Sequence, residues 1–534
     1  MKNIIKYTCL AFMACHFLSC DSYLDKPPLH QISDDSWWKD ATQAQMMVDN
    51  CYNYLPDHEI IPYRDGYSDN GIWRATNVMG DGSLTAFTKQ VKDEWKYEEI
   101  AQLNYVLEGL EKAKDFLTED SYVHMKAEVR FIRAWIFYDM MFYFGDIPLV
   151  DHLLTVDESL KVGRTSRNEI WKFIQTEMNE VLADVQKKPT DESGRVNEMV
   201  ARSFLARISL FEKDYETTLA QTEAVMKSGK YTLYPSYENM FRPQTDGANS
   251  EIIFEFQYSN PLKLHDLNRN LSPGASPYAG WGRMMALENM VDEYECIEGH
   301  FISECESFGC KHVSERQAID AAGKYGEYEF RDPRLKQTII TPGWEWIKND
   351  AVAFVFDPAD ENGLDYIKNK PWSTGYSLTK WVDMNGENED RTKAYKNITL
   401  IRYADILLMR AEALIESGGD LQEAADLINL IRSRAGMPQI DNVGGQSEMR
   451  EKLRHERRIE LAFEGLRYYD IIRWRIGDKV RNGDQYGAAL MNKETGKREN
   501  IFMEKRVWDD HMYLWPVPQD ARDLNPSLDQ NPGW

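Results

Sequence analysis

Positive charge is scarce in this chain. Its 63 lysines and arginines face 87 aspartates and glutamates, a formal net charge of −24 over 534 residues. A protein that grips nucleic acid needs a basic face to displace counterions from the phosphates, so that class of partner is excluded. The same deficit disfavours sulfated and uronic-acid polymers at long range and leans the chain towards neutral ligands. Long hydrophobic runs are also missing: beyond the first twenty residues no segment offers eighteen uncharged apolar residues in a row, as a spanning helix would need. Cysteine is rare, with seven in all, which excludes a disulfide-dense scaffold. What is present, 43% hydrophobic and 28% charged residues, is the composition of a globular protein without collagen-like or disordered bias.

The N-terminus, MKNIIKYTCLAFMACHFLSC, places Lys2 and Lys6 before an apolar stretch that ends in small residues, the pattern of an export signal over residues 1–19. Phe17-Leu18-Ser19-Cys20 resembles a bacterial lipobox, which makes Cys20 the candidate for lipidation; the competing reading is ordinary signal cleavage with Cys20 a bystander. Several acyl chains on one cysteine exceed the two-signal threshold for stable anchoring. Residues 21–33, DSYLDKPPLHQIS, read as an extended tether. Once Cys9 and Cys15 leave with the signal, Cys51, Cys296, Cys305 and Cys310 remain besides Cys20. In an exported protein a local disulfide or free thiols is the favoured reading of CIEGHFISECESFGC. His300 and His312 open a metal-site alternative, but the spacing matches no regular zinc pattern.

Helical periodicity runs from 98 to 143, from 168 to 186, from 197 to 211 and from 215 to 228. The segment ending at Gly145 is apolar nearly all round after Phe131 and is expected to be central. Trp95, Trp135 and Trp171 fall in helical patterns and are assigned to packing. Helical signals return at 400–417, 421–435 and 448–463. The small residues Ala404, Ala411, Ala413, Ala424 and Ala425 flank a Gly418-Gly419 turn, as in a tetratricopeptide-like repeat. Between 259 and 397 periodicity fades and glycine, proline and asparagine rise, so binding residues are sought there. The expected fold is mainly α: a helical-repeat scaffold over about 34–258 and 398–475, an irregular loop-rich insertion with a few short strands, and an extended segment from 476 to 534.

In LRHERRIELAFEGLRYYDIIRW, residues 453–474, Glu456 and Glu460 lie one helical turn apart on the face of Leu453 and Phe463. A hydrolytic carboxylate pair and an ion-pair strut both fit this spacing. Arg410, Arg454, Arg457 and Arg458 stand ready to neutralise the pair and depress its pKa values, which favours the strut. Gly465 is expected to cap that helix. The acidic run 357–365, DPADENGLD, reads as a solvated turn in preference to a calcium site at Asp357 and Asp365, since it lacks the EF-hand spacing.

RYADILLMRAEAL at 402–414, together with the segment just described, is similar to the strongest signatures of the SusD/RagB family of outer-membrane lipoproteins. Agreement continues in IRAWIFYDMMFYFGDIPLV at 132–150, GRTSRNEIWKFI at 163–174, RDPRL at 331–335 and the ending MYLWPVPQDARDLNPSLDQNPGW. The resemblance implies a single tetratricopeptide-like domain from residue 20 onward, without catalytic activity or cofactor. It also implies a lipid anchor in the outer membrane facing the cell exterior, a glycan ligand, and a SusC-like TonB-dependent transporter as partner. Sugar binding pairs aromatic faces with polar groups. Three windows supply both: YRDGYSDNGIWR with Asp69, Asn70, Trp73 and Arg74; SPYAGWGR with Tyr278, Trp281 and Arg283; and TPGWEWIKND plus NKPWSTGY with Trp344, Trp346, Trp372 and Tyr376. The resemblance singles out the aspartate and aromatic of the first window; Arg74 and Arg283 would also suit a carboxylated sugar. Two readings of other classes compete: an exported glycoside hydrolase with a helical core, and a repeat scaffold that binds only protein.

Overall fold

The computed structural model describes residues 37–74, 78–187, 194–242, 249–348, 351–384, 390–492, 495 and 497–534. The export signal, Cys20 and the 21–33 tether lie outside the described residues. Helices dominate: α1 (Ala41–Cys51), α2 (Tyr97–Ala113), α3 (Glu119–Phe144), α4 (Arg167–Lys187), α5 (Glu198–Phe211) and α6 (Tyr215–Lys227) precede α7 (Val313–Ala321) of the loop-rich section, and α8 (Tyr403–Ser417), α9 (Leu421–Ala435), α10 (Gln446–Glu460) and α11 (Arg467–Trp474) follow it. Successive helices pack together, α2 on α3, α3 on α4, α5 on α6, and α8 on α9 and α10, with α6 joining the halves through α8. No described helix is long and apolar enough to cross a membrane.

Sequence dictates this order locally. Thr118 opens α3 by accepting a hydrogen bond from Ser121 N–H at 3.1 Å, and Gly145 ends it at a φ of 73°. Every residue from Ala127 to Phe144 is buried, as the all-round apolar pattern predicts, and Trp135 stacks on Phe204 at 4.3 Å. The charges on α3 are paired across the bundle, Glu128 with Arg195 at 2.7 Å and Arg133 with Glu177 at 2.6 Å. Gly418 closes α8 in the left-handed region, and Asp420 opens α9 by accepting from the N–H groups of Gln422 and Glu423. Ala404, Ala411, Ala413, Ala424 and Ala425 are fully buried where these helices meet.

The strands among the described residues are β1 (Gly71–Trp73), β2 (Ile252–Phe256), β3 (Met284–Ala286), β4 (Ile339–Ile340), β5 (Glu345–Lys348), β6 (Ala351–Val355), β7 (Ser377–Leu378), β8 (Ile398–Arg402), β9 (Gly483–Asn492) and β10 (Lys497–Arg506). They form five antiparallel pairs: β1 with β3, β2 with β8, β4 with β7, β5 with β6 and β9 with β10. The helix expected from residue 400 starts at Tyr403, because the β-branched run at Ile398, Thr399 and Ile401 pairs with β2. The segment after 476 is less extended than its composition suggests. It holds the β9–β10 hairpin and returns to the core through Trp515, whose indole N–H donates to the Tyr468 hydroxyl at 2.8 Å.

The helix expected to reach Phe463 ends at Glu460. Arg402, Lys380 and the Trp381 indole capture the carbonyls of Glu460, Ala462 and Phe463 at 2.8, 2.7 and 2.9 Å, which unwinds the last turn; Phe463 adopts a φ of 59°, and Gly465 lies in this turn instead of capping a helix. Glu456 and Glu460 are a strut, with 1% and 0% exposure. Their partners differ from those expected. Arg334 reaches both, at 2.6 and 2.9 Å; Arg402 and Arg434 bind Glu460, and Arg432 binds Glu456 at 3.1 Å. Helical geometry turns the near neighbours elsewhere: Arg457 pairs with Asp405 and Asp470, Arg458 with Asp69 and Glu293, Arg410 with Glu423 and Arg454 with Glu451.

Burial alone would raise the Glu460 pKa, but Arg434, Arg402 and Arg334 hold the carboxyl well below the usual range. At Asp405 burial is likewise overcome, by Arg207 and Arg457, and the pKa falls from 3.8 to about 2. Folded values below unfolded ones mean stabilisation that is complete above the unfolded carboxylate pKa and lost as pH falls through the folded value. The unfolding midpoint is therefore expected to drop between pH 3.8 and about 2 at least through Asp405; a flat profile across that window would contradict the network. Replacing Arg402 by Met leaves Glu251, Glu460 and Glu464 buried with one guanidinium fewer, and is expected to cost about 3–5 kcal/mol in urea unfolding.

Candidate functional site

The β1–β3 pairing brings two sequence-distant windows together, with Trp73 opposite Met284 and the Arg74 N–H donating to the Arg283 carbonyl at 2.9 Å. Trp281, 38% exposed, stands on the resulting surface. The Arg269 and Arg283 guanidiniums lie 4.0 and 4.6 Å from its ring centre. Arg74 lies 4.4 Å over the Trp372 ring and donates to the Trp281 carbonyl at 3.3 Å. Each such cation–π contact contributes about 0.5–1 kcal/mol at an exposed site. The loop is fixed from beneath: Trp281 and Arg283 N–H donate to the Arg269 and Asn270 carbonyls, both at 2.7 Å. A side chain at Gly280 would meet the Ser272 carbonyl oxygen at 2.0 Å, so that turn requires glycine.

Trp73 lines a cavity of about 490 Å³ shared with Tyr54, Tyr63, Asn53, Glu59 and Gln90. Its indole N–H donates to the Tyr63 carbonyl at 2.7 Å, its ring meets Tyr67 edge-on at 5.0 Å, and a Cβ on Gly66 would stand 2.1 Å from its Nε1. Burial pushes the Tyr63 hydroxyl pKa up, and the cavity is joined to the Trp281 surface through Arg74, which follows Trp73 and donates to the Trp281 carbonyl. Arg64 also lines the cavity, only 5% exposed, with Asp139 and Glu94 at 3.9 and 4.0 Å; its Nε and Nη2 have no hydrogen-bond partner. Unpaired buried donors of this kind are costly unless a polar group fills the space before them.

The other predicted residues are placed differently. Asp69 is 1% exposed and held by Arg467 at 2.8 and 2.9 Å and by Arg458 at 3.1 Å, while Asn70 donates to Asp65 at 2.7 Å and accepts from Arg458 at 2.9 Å. Both therefore brace the first window against α10 and α11, and Asp69 also lines the acidic cavity described below. Tyr278 and Trp346 are buried and touch each other at 5.9 Å, with the Tyr278 hydroxyl on the Asp383 carbonyl. Trp344 meets Trp346 edge-on, with ring centres 5.9 Å apart, and lines a cavity of about 720 Å³ with Tyr325, Lys336 and Asp357. Trp372 is half-buried against Ile72, Met285 and Leu287. Tyr376 is buried and donates to Glu288. Tyr63, within the first window, and Arg269, just before the second, were not legible as site residues; the only signal was their adjacency to Trp73 and Trp281.

A third cavity, of about 520 Å³, is acidic, with Glu288, Asp292, Glu293 and Asp484 facing Lys479 and Arg458. Burial raises the Glu288 pKa to about 8 and raises that of Asp292 as well. In the acidic run, Asp357 accepts from the Tyr325 hydroxyl and Asp365 from the N–H groups of Gly274 and Ala275 and from Lys370, so these carboxylates serve separate loops. Of the local disulfide or free thiols expected here, the structure has free thiols: all four described cysteines are unbridged, and the Cys296 and Cys310 sulfurs stand 3.9 Å apart. His300 stacks on Phe308 at 4.2 Å.

Fold and site together define a helical-repeat scaffold whose loops present aromatic rings beside polar clefts. The chain belongs to the SusD family: the model described by that name matches residues 242–534, and a second, described as "Starch-binding associating with outer membrane", matches residues 23–210. It is similar to SusD-like protein P25 of Formosa agariphila, 26% identical over 89% of this chain and 90% of the relative. The starch-binding protein SusD of Bacteroides thetaiotaomicron is 24% identical over 88% of this chain and 84% of the relative. Among solved structures, a SusD-like carbohydrate binding protein from Bacteroides fragilis superposes with a TM-score of 0.79 at 27% identity, covering 92% of this chain and all of that one.

Exposure separates the two kinds of tryptophan by experiment. Trp346→Ala, at 1% exposure, is expected to lower stability by about 3–5 kcal/mol. Trp281→Ala, which gives up two cation–π contacts, is expected to lose about 1–2 kcal/mol in the same urea titration; a loss equal to that of Trp346→Ala would place Trp281 in the core.

Proposed function

We propose that this protein is a cell-surface lipoprotein that binds a neutral oligo- or polysaccharide at the Trp73 cavity and the Trp281 surface. It passes that glycan to a SusC-like TonB-dependent transporter and catalyses no reaction. The observation that carries the reading is the pairing of Trp73 and Tyr63 in a polar-lined cavity with an exposed Trp281 beside it. Aromatic faces of this kind meet pyranose C–H surfaces, while Asn53, Gln90 and Glu59 offer hydroxyl partners. The acidic lining supports a neutral ligand. SusD-like relatives named for starch and carbohydrate binding support the ligand class. The second matched family description supports association with the outer membrane, and Cys20 supplies the anchor.

Binding of the mature chain to a panel of neutral and acidic polysaccharides, with reducing-end release followed in the same samples, tests the reading. Trp73→Ala and Trp281→Ala are each expected to weaken the best ligand about tenfold or more, at unchanged fold. Retained affinity in both variants would remove the site. One observation favours a hydrolase as the second reading: Glu288, with its raised pKa, is protonated at neutral pH inside a cavity, as a general acid must be. Reducing ends released by the parent and not by Glu288→Gln would establish it. Cys20→Ala is expected to shift the protein from the membrane fraction to the soluble one, and persistence in the membrane would refute the lipid anchor.

A further inference from the structure

The loop-rich section contains one small lobe whose interior is not hydrophobic in the usual sense. Its core consists of Cys296, Cys305 and Cys310, with only Ile302 and Val313 packed against them. His312 completes the group, and one donor atom from each of the four residues lies within 4.8 Å of all the others. Exposure runs from 0% at Cys296 to 6% at Cys310, with His312 at 5%.

These distances have a chemical meaning. A tetrahedral zinc ion with Zn–S near 2.3 Å and Zn–N near 2.0–2.1 Å sets its ligand edges at about 3.8 Å between sulfurs and about 3.6 Å between sulfur and nitrogen. The Cys296 and Cys310 sulfurs are 3.9 Å apart, and Cys305 Sγ is 3.6 Å from His312 Nε2. The opposite ring nitrogen of His312, Nδ1, lies 3.0 Å from Glu298 Oε1, which also accepts the Lys311 N–H at 2.8 Å. A carboxylate on the distal nitrogen fixes the tautomer that leaves Nε2 free to ligate, the usual outer partner of a zinc-bound histidine.

The backbone brings the four ligands together from separate turns. Cys296 closes a turn through the His300 carbonyl at 2.7 Å, Cys305 opens the short helix Cys305–Phe308, and Gly309, at a φ of 67°, reverses the chain so that Cys310 N–H returns to the Cys305 carbonyl. His312 immediately precedes α7. We propose that Cys296, Cys305, Cys310 and His312 hold one zinc ion as a closed structural site. Three soft sulfurs and an imidazole in tetrahedral array select zinc over calcium or magnesium, and four protein ligands leave no open position for catalysis.

The ion would act as the missing core of this lobe. Cys296 bridges to Arg331, and the neighbouring Glu295 carbonyl accepts the Asp332 N–H at 2.7 Å. Glu293 and Glu295 then reach Arg458 and Arg432 of the scaffold at 2.6 and 2.9 Å. Holding residue 296 in place thereby holds one wall of the acidic cavity against α10.

The test is metal analysis of the untagged mature protein, purified without chelator after growth with added zinc, combined with thiol counting in denaturant. One zinc per chain is expected, released together with Cys305→Ser and kept in Cys51→Ser, whose thiol lies elsewhere and donates to the Met47 carbonyl. Because Cys305→Ser could fold poorly, the parent is also stripped and titrated with Co²⁺. Thiolate-to-cobalt charge transfer with tetrahedral ligand-field bands supports the site. A parent without zinc that gives no such cobalt spectrum overturns it, as does a disulfide among Cys296, Cys305 and Cys310 in the freshly purified protein.

Discussion

A carboxylate with no exposed surface persists in a folded protein only where cations and hydrogen bonds replace the water it has lost, and Glu460 sets that requirement at the centre of this molecule. The cations come from three parts of the chain: Arg334 from the loop-rich section, Arg402 from the end of β8 and Arg434 from α9. Arg458 and Arg467 extend the same arrangement to Asp69, and Asp65 accepts the Gly465 N–H at 2.9 Å. The loops are thus tied to the helices by charge as well as by apolar packing. The position of Trp73 follows from it, since the strand that carries Trp73 begins two residues beyond Asp69.

This division explains how the protein separates support from recognition. The helices bury alanines, leucines and large aromatics in the ordinary manner, and the loops add to the apolar packing of Leu271, Leu335, Trp346 and Trp381 a set of buried ion pairs and of carbonyls captured by side chains. Groups used for holding are turned inward onto their partners, as Arg334, Arg402 and Asp69 are. Those left with open faces or open donors, Trp73, Tyr63, Arg64 and Trp281, gather where β1 meets β3.

The helical frame was legible in the sequence because periodicity, glycine stops and capping residues all act within a few positions of one another. The end of α10 was not, since it depends on Lys380, Trp381 and Arg402 reaching in from distant positions. The same limit governs the site. Tryptophans could be found as letters, but whether a ring is buried, as at Trp346, or exposed, as at Trp281, depends on contacts absent from its own window. Asp69 illustrates the limit most directly: a polar residue in a glycine-rich loop looks unpartnered in the sequence, and only the arginines from residues 458 and 467 reveal its ion pairs. The cysteine group is the reverse case, an irregular spacing that folding converts into regular geometry.

The β2–β8 pair has a consequence for variation over time. These strands meet in antiparallel register, with Ile252 opposite Arg402 and Phe256 opposite Ile398, so the long stretch between them leaves the scaffold and returns at one hydrogen-bonded gate. Lengthening such a stretch is cheap, about 0.6 kcal/mol for each doubling of a flexible loop. Within the section from 257 to 397 the anchors Arg334, Lys380 and Trp381 have to be kept, but the exposed stretches between them can be lengthened while the helices on either side keep their neighbours. Change confined to those stretches alters the surface and leaves the frame as it is.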